Sequence, residues 1–253
     1  MSRRPLALLP GMMCDERLFG PQRAALEATH EVRVARFADG DTIEAFAREA
    51  LAPFDPGDGP VDLVGLSMGG IVAMGAMALA PQRVGRVVLL DTNHLAESAE
   101  RRASRAPQIE RALAGELDRV LIDDMKPAYL APANRDDEAL LGLVLDMARG
   151  LGPDVFERQS RAIAGRPDRS ATLRGWTGPL ALACGAHDAL CPPERHREMA
   201  ALVPHATLEV IEDAGHLTTL ERPDAVGRLL ARALGDAGPG PADAAAADGP
   251  ASR

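Results

Sequence analysis

The chain has 253 residues, of which 46% are hydrophobic and 26% charged, a composition that excludes disorder over most of its length and predicts one globular domain with a full core. Its 37 acidic residues outnumber its 28 Lys and Arg residues, which gives a formal net charge of −9. Because this charge repels nucleic-acid phosphates and anionic membrane surfaces, we expect no nucleic acid and no membrane as partner.

The expected strands are short, nearly continuous apolar runs that alternate with longer segments of helical period. This pattern is typical of a parallel sheet covered by helices on both faces, and therefore of the α/β class. The expected strands are Leu6–Leu9, Val32–Ala35, Val61–Val64, Val87–Leu90, Leu180–Cys184 and Thr207–Ile211. The expected helices are Glu16–Ala28, Thr42–Ala52, Ile71–Ala80, Glu194–Leu202 and Asp224–Leu234.

Between Asp91 and Gly178 the alternation stops, and the chain becomes rich in Arg, Ala, Leu and Glu. Within this stretch the apolar residues of Asp136–Arg149 fall on one helical face, and acidic residues occupy the first turn of the expected helix. The stretch is therefore expected to be a helical insertion. The last segment, Gly235–Arg253, has no large apolar residue to offset its ordering entropy, so we expect it to be disordered.

Neither a membrane span nor a structural cysteine framework is expected. The N-terminal apolar stretch ends at Pro10-Gly11, too early for a secretory signal. The longest apolar run, Ile71–Ala80, has about half of the roughly 20 residues that span a bilayer. The chain has three cysteines, Cys14, Cys184 and Cys191. Because they are few and lack CxxC spacing, they suggest reduced thiols, no zinc site and a cytoplasmic location.

The segment Gly65-Leu66-Ser67-Met68-Gly69-Gly70 lies directly between an expected strand and an expected helix. In that context Ser67 is expected on a strand-to-helix elbow that presents a nucleophile. Gly65 and Gly69 would keep neighbouring atoms from colliding with a serine in a strained backbone region. The other interpretation is an ordinary glycine-rich turn. A phosphate loop is disfavoured, because the Lys-Ser/Thr ending and the GxGxxG spacing are both missing.

A serine nucleophile needs a general base and usually a carboxylate that orients the base. Asp188 and His216 each follow an expected strand, and the carboxyl edge of a parallel sheet is where sites form. The chain order Ser67, Asp188, His216 is also that of nucleophile-elbow enzymes. Asp91 at the end of an earlier strand is the rival acid, and Asp188 has the alternative interpretation of a solvated loop carboxylate.

Acyl transfer also needs donors for the developing oxyanion. The backbone amide of Met68, directly after the serine, is one candidate. The second is the amide of Met12, because Gly11 allows the backbone to turn so that this amide faces the pocket. Met13 and His94 are expected to contact the substrate. The alternative for Met12 and Met13 is that both are simple core methionines.

Four segments of the chain resemble the α/β-hydrolase superfamily, and the resemblance runs from Pro5 to about Leu234. They are Leu8-Leu9-Pro10-Gly11-Met12, Leu63-Val64-Gly65-Leu66-Ser67-Met68-Gly69-Gly70, Cys184-Gly185-Ala186-His187-Asp188, and Ala214-Gly215-His216-Leu217 with Glu221-Arg222-Pro223. By position, the resemblance makes Ser67 the nucleophile, His216 the base and Asp188 the acid, and the amides of Met12 and Met68 the oxyanion donors.

The resemblance also implies an organisation of the chain. Residues 1–94 and 175–234 would form the hydrolase core, 95–174 a helical cap over the pocket, and 235–253 a disordered tail. The chain departs from the family where Pro10-Gly11 replaces a frequent His-Gly. It also lacks the first two strands of the fuller fold, which predicts a mostly parallel sheet of about six strands.

The implied function is hydrolysis of a small ester, as in a carboxylesterase, through an acyl-Ser67 intermediate without metal or cofactor. Several alternatives stay open: a lactone, thioester or carbon–carbon bond hydrolase with the same triad, a lyase, or a ligand-binding member of the fold without catalysis. The fold does not choose among them. The expected partner is a small-molecule substrate, and a homodimer is left open.

Overall fold

The structure, a computed structural model, describes residues 3–125 and 129–235. Its strands are β1 (Arg4–Leu9), β2 (His30–Val34), β3 (Val61–Leu66), β4 (Val84–Leu90), β5 (Leu180–Gly185) and β6 (Thr207–Ile211). They form one sheet in the order β2-β1-β3-β4-β5-β6, and every neighbouring pair is parallel. The predicted α/β fold with a sheet of about six parallel strands is confirmed.

Helices connect the strands and fill the region between β4 and β5. The α-helices are α1 (Gly20–Thr29), α2 (Ile43–Leu51), α3 (Met68–Leu79), α4 (Ala99–Arg111), α5 (Leu117–Arg119), α6 (Glu138–Leu151), α7 (Pro153–Ala164), α8 (Ser170–Arg174), α9 (Pro193–Leu202), α10 (Thr218–Glu221) and α11 (Pro223–Ala233). Short 3₁₀ turns are Glu16–Phe19, Pro56–Asp58, Pro81–Arg83 and Pro132–Asn134, and π-helical segments are Ala112–Glu116 and Val120–Met125.

The predicted boundaries differ from the structure where local capping decides them. The helix predicted from Glu16 is instead a 3₁₀ turn followed by α1, because Pro21 occupies the first turn of a new helix. Inside the insertion, α6 begins at Glu138 rather than Asp136, since the Asp137 carboxylate caps the amides of Ala139 and Leu140.

The sheet divides two apolar cores because successive strand residues point to opposite faces. Leu63 belongs to the core shared with α2 and α3, which contains Phe46. The next residue, Val64, belongs to the core shared with α1 and α11, which contains Leu26. Each fully buried side chain of this size contributes about 1.5–3 kcal/mol relative to an exposed one, so both faces of the sheet are stabilised.

The strand order reverses between β1 and β3, since the chain passes from β1 outward to β2 and then returns to β3 on the other side. In open parallel sheets, ligands bind outside the carboxyl ends of the strands at such a point. Leu9 pairs with Gly65, so β1 and β3 end side by side. The loop after β1 and the turn after β3 therefore meet at one crevice.

The segment between β4 and β5 contains α4 to α8 and has an apolar cluster of its own. Ala112, Val120 and Phe156 pack there with Met13 from the loop after β1. The division of the chain into a core and a cap stays a prediction. The tail expected to be disordered lies, beyond Gly235, outside the described residues. Within the two described ranges, no helix combines the length and the apolar character needed to cross a bilayer.

Candidate active site

Ser67 occupies a strained turn that only its glycine neighbours allow. Its backbone lies at φ 55° and ψ −116°, between the end of β3 and the start of α3. A Cβ on Gly65 would lie 2.4 Å from the carbonyl oxygen of Gly69, and a Cβ on Gly69 would lie 1.8 Å from that of Leu9. Both distances are far inside van der Waals contact, so glycine is required at both positions. The sequence-based prediction of an elbow agrees with this geometry.

Hydrogen bonds from neighbouring elements hold the strained serine. Its amide donates to the carbonyl of Leu90 at 2.9 Å, which extends the pairing with β4. Its carbonyl accepts from the amide of Gly70 at 2.9 Å and from the hydroxyl of Thr92 at 2.7 Å. A strained backbone persists only where its surroundings determine it in this way.

His216 connects Ser67 to Asp188. Its Nε2 lies 2.8 Å from the Oγ of Ser67, and its Nδ1 lies 2.8 Å from Oδ2 of Asp188. With neutral imidazole, Nδ1–H donates to the carboxylate and the serine hydroxyl donates to Nε2. The three side chains come from the loops after β3, β5 and β6. The structure therefore brings together the three residues that the sequence singled out as catalytic.

The carboxylate of Asp188 is held in the charged form. Burial would raise its pKa, but attraction and a hydrogen bond from His216, with the amides of Cys191 and Leu190 donating to Oδ1, lower the pKa below its ordinary value. Burial alone would lower the pKa of His216, and Asp188 raises it above the ordinary value. The pair is thus arranged so that His216 can accept and stabilise a proton.

Asp91, the rival acid, is turned toward other partners. Its Oδ1 accepts from the amide of Gly185 at 2.9 Å and its Oδ2 from the hydroxyl of Thr218 at 2.5 Å. The side chain is fully buried. Burial, and then repulsion from Asp188, raise its pKa well above the ordinary value. Asp91 is therefore bonded to other groups, and Asp188 is the carboxylate that contacts His216.

Tyr129 and Glu221 hold the loop that carries His216. The amide of His216 donates to the carbonyl of Tyr129 at 2.7 Å, and the two rings stack with their centroids 6.0 Å apart. Glu221 accepts from the amide of Gly215 through Oε1 and from the amide of Ala131 through Oε2, both at 2.8 Å. These bonds join the histidine loop to the insertion. Sequence reasoning assigned neither residue a role, because the contacts lie up to 90 residues apart in the chain.

Ser67 and His216 open into a cavity of about 130 Å³. Met12 and Met68 line it, as does Gly11. A Cβ on Gly11 would lie 3.5 Å from the Cβ of Ser67, so the loop after β1 runs beside the serine. Met68 is the first residue of α3, where backbone amides have no acceptor within the helix.

Met13 and His94, predicted to contact substrate, are not in the cavity wall. Met13 has a φ of 58°, and its amide donates to Oε1 of Gln159 at 2.8 Å. This turn directs its side chain into the apolar cluster with Phe156. His94 is 4% exposed, and its carbonyl accepts from the amide of Arg169. Both residues are buried in packing beside the site, so their contact with a substrate stays a prediction.

The cavity wall carries charged residues from the insertion that the sequence did not reveal as a group. They are Glu97, Arg101, Arg105 and Arg166. Apolar residues supply most of the remaining wall, including Ile71 and Ile163. The arrangement is that of an apolar pocket with a few polar groups, as in small-molecule sites.

Within the described ranges, Asp188, Cys191 and His216 are the one group of three residues with metal-binding atoms close together, within 4.8 Å. These residues do not fit a metal ion. Asp188 and His216 are bonded to each other, and the second nitrogen of His216 faces Ser67. Burial raises the pKa of the Cys191 thiol well above its ordinary value, and thiolate is the form that binds metals.

Comparison with known proteins identifies the family of the chain. Residues 9–229 match the family model of the alpha/beta hydrolase family. BpoC of Mycobacterium tuberculosis, a proposed non-heme bromoperoxidase, is 28% identical over 205 residues, which are 76% of this chain and 75% of BpoC. A malate-bound thermophilic esterase from Thermogutta terrifontis superposes with a TM-score of 0.84 at 26% identity, over 93% of this chain and 90% of the esterase. The enol-lactonase from Burkholderia xenovorans LB400 superposes with a TM-score of 0.82 at 24% identity, over 93% and 92% of the two chains.

Proposed function

The chain belongs to the alpha/beta hydrolase family and is a hydrolase of that fold, and from this premise we propose that it hydrolyses small carboxylic esters through an acyl-Ser67 intermediate. The observation that carries the proposal is the continuous line of hydrogen bonds from Ser67 through His216 to Asp188, each 2.8 Å long. A serine activated in this way attacks carbonyl carbon.

In the first half of the reaction, the Oγ of Ser67 attacks the ester carbonyl while Nε2 of His216 takes the hydroxyl proton. The carbonyl π electrons move to oxygen and give a tetrahedral oxyanion. When the oxyanion collapses, the bond to the leaving alkoxide breaks, and His216 returns its proton to that oxygen. The products of this half are a free alcohol and an acyl-Ser67 ester.

In the second half, water replaces the alcohol. His216 removes a proton from water as the water oxygen attacks the acyl carbon. Collapse of the second oxyanion breaks the bond to Ser67, whose Oγ recovers the proton from His216. The sum is one ester and one water converted to one acid and one alcohol, with side chains of this protein as the only acid–base groups.

The remaining residues act on charge and orientation. We propose that the backbone amides of Met12 and Met68 donate hydrogen bonds to the developing oxyanion. Both residues line the cavity together with Ser67. Asp188 holds the imidazole in the tautomer with Nδ1–H and stabilises the imidazolium that forms.

We also assign the helical segment 95–174 to a cap that bounds the substrate cavity. Arg105 from α4 and Ile163 from α7 line the same cavity as Ser67 and Met68. A cavity of about 130 Å³ suits a small substrate.

The test is turnover of p-nitrophenyl esters of increasing acyl length by wild-type protein and by Ser67→Ala, in a chelator and without added cofactor. The proposal predicts turnover that Ser67→Ala lowers by about 10⁴-fold or more. A γ-lactone and a thioester assayed in parallel compare the other acyl bonds. A folded wild-type protein that hydrolyses none of these acyl substrates, or equal rates for the two proteins, would refute the proposal.

A further inference from the structure

The wall of the cavity at Ser67 has a positive formal charge, whereas the protein as a whole has a negative one. The chain has a formal net charge of −9, yet the cavity wall contains three arginines and one glutamate. The other ionisable wall residues besides His216 are neutral: burial raises the pKa of Cys14 to about 12 and also raises the pKa of Tyr129 and Cys191. An excess of positive charge therefore faces the substrate, and low-dielectric walls strengthen its field.

One acidic side chain organises the arginines. Glu97 is 5% exposed, and its Oε2 lies 2.6 Å from Arg105 while its Oε1 lies 3.1 Å from Arg166. Arg166 also donates to the carbonyl of Leu95 at 2.8 Å. Two cations thus share one carboxylate, so Glu97 balances only one of the positive charges that it holds in place.

Two arginines of the cavity wall retain donors that no carboxylate of the described residues occupies. Nη1 of Arg105 has the thioether sulfur of Met12 at 3.9 Å, a weak acceptor in the loop beside Ser67. Arg101, one turn earlier on α4, lines the same cavity. Among residues 3–125 and 129–235, no carboxylate forms an ion pair with Arg101. A guanidinium presents a planar fork of donors that matches a carboxylate.

We propose that the cavity binds a carboxylate of the substrate through Arg101 and Arg105, so that the preferred ester carries a free carboxylate in addition to the bond that is cleaved. This inference rests on the proposed ester hydrolysis and names its substrate class. Glu97 and Arg166 act as the support that positions Arg105. A cationic substrate would be repelled by the same wall.

The kinetic test uses two pairs of esters that differ only in charge. p-Nitrophenyl hydrogen glutarate and its neutral carboxamide place the difference in the acyl part, and 4-acetoxybenzoate and 4-acetoxybenzamide place it in the leaving group. We expect kcat/KM of wild-type protein to favour the anion by about 10-fold or more in at least one pair, since hydrogen bonds to charged groups are strong. The pair that responds identifies which part of the substrate carries the carboxylate.

The matched variants are Arg101→Gln and Arg102→Gln. Both change one exposed arginine on α4, but only Arg101 lines the cavity. Arg101→Gln should reduce the ratio of anion to amide kcat/KM by about 10-fold, mainly through KM, whereas Arg102→Gln should keep the wild-type ratio. Arg101→Lys should recover part of the ratio. No preference for the anion in either pair, or equal ratios for Arg101→Gln and Arg102→Gln, would overturn the inference.

A binding experiment separates this inference from the proposed function. Calorimetric titration of the folded Ser67→Ala variant with glutarate and acetate, with and without Arg101→Gln, requires no turnover. Binding that weakens about 10-fold with Arg101→Gln supports the carboxylate site even where no ester is hydrolysed. Ser67-dependent hydrolysis without preference for the anion and without glutarate or acetate binding would leave the ester hydrolase standing and remove the carboxylate site.

Discussion

His216 bonds to Asp188 and not to Asp91, although both carboxyl groups are buried near it. The Nδ1 of His216 lies 2.8 Å from Oδ2 of Asp188, whereas Asp91 accepts from Gly185 and Thr218. The two acids also differ in the direction of their pKa shifts. Asp188 has a lowered pKa, and Asp91 has a raised one.

This difference predicts unequal effects of the same substitution. Asp188→Asn should lower kcat by about 10⁴-fold, because an amide favours the wrong tautomer of His216. Asp91→Asn should lower kcat by less than about 10-fold, because Asp91 bonds to Gly185 and Thr218 and not to His216. Steady-state kinetics on an activated ester, with circular dichroism to establish folding, make the comparison. The opposite order of effects would identify Asp91 as the acid.

The pH dependence of the base follows from the same pair. His216 works as a base only when neutral, and Asp188 raises its pKa above the ordinary value despite burial. The acid limb of kcat/KM should therefore have its midpoint above the ordinary histidine pKa. In Asp188→Asn the pKa should fall, because burial lowers it and the attraction and hydrogen bond of Asp188 that raise it are both removed. NMR titration of His216 in a Ser67→Ala background measures both shifts, and an unchanged pKa would exclude Asp188 as their cause.

The elbow predicts a severe effect from one added methyl group. A Cβ on Gly69 would collide with the carbonyl oxygen of Leu9, so Gly69→Ala should lower the free energy of unfolding by about 2 kcal/mol or more. The matched control is Gly142→Ala inside α6, where a Cβ meets nothing within 4 Å. That change should stabilise the protein by about 0.5–1 kcal/mol. Chemical denaturation of both variants tests the close approach, which equal stabilities would disprove.

The buried ion pair between Glu97 and Arg166 predicts that removing Glu97 destabilises the protein. Glu97→Ala leaves Arg166, which is 6% exposed, without its carboxylate and should lower the free energy of unfolding by about 3 kcal/mol. Glu110→Ala on α4 is the control, because Glu110 is exposed and pairs with no residue of the described ranges. It should change stability by less than about 0.5 kcal/mol. Urea unfolding distinguishes the two, and similar small losses would show that Arg166 does not depend on Glu97.

The sequence predicted the parts of the site that depend on local rules. Ser67 could be located because the elbow needs small residues at fixed offsets, and Gly65 and Gly69 supply them. His216 and Asp188 could be located because parallel strands end at one edge of the sheet. Their geometry now agrees with that prediction, while their catalytic roles stay a proposal.

The rest of the site depends on packing between distant segments. Met13 was expected in the pocket, but its positive φ and its bond to Gln159, 146 residues away, turn it into the insertion. In the sequence, nothing distinguishes Glu97, Arg105 and Arg166 from ordinary charged residues, because only the packing of α4 against α7 brings them together. Charge pairs of this kind leave no periodic pattern in the sequence.

The most direct test of the acyl-Ser67 mechanism is acid quenching of wild-type protein within the first turnovers on p-nitrophenyl acetate, followed by peptide mapping. This mechanism predicts an acetyl group on Ser67 that accumulates during a burst of p-nitrophenol and is absent from Ser67→Ala. Steady turnover with no acetylated Ser67 peptide, or acetylation at another residue at a rate matching turnover, would contradict the acyl-Ser67 mechanism.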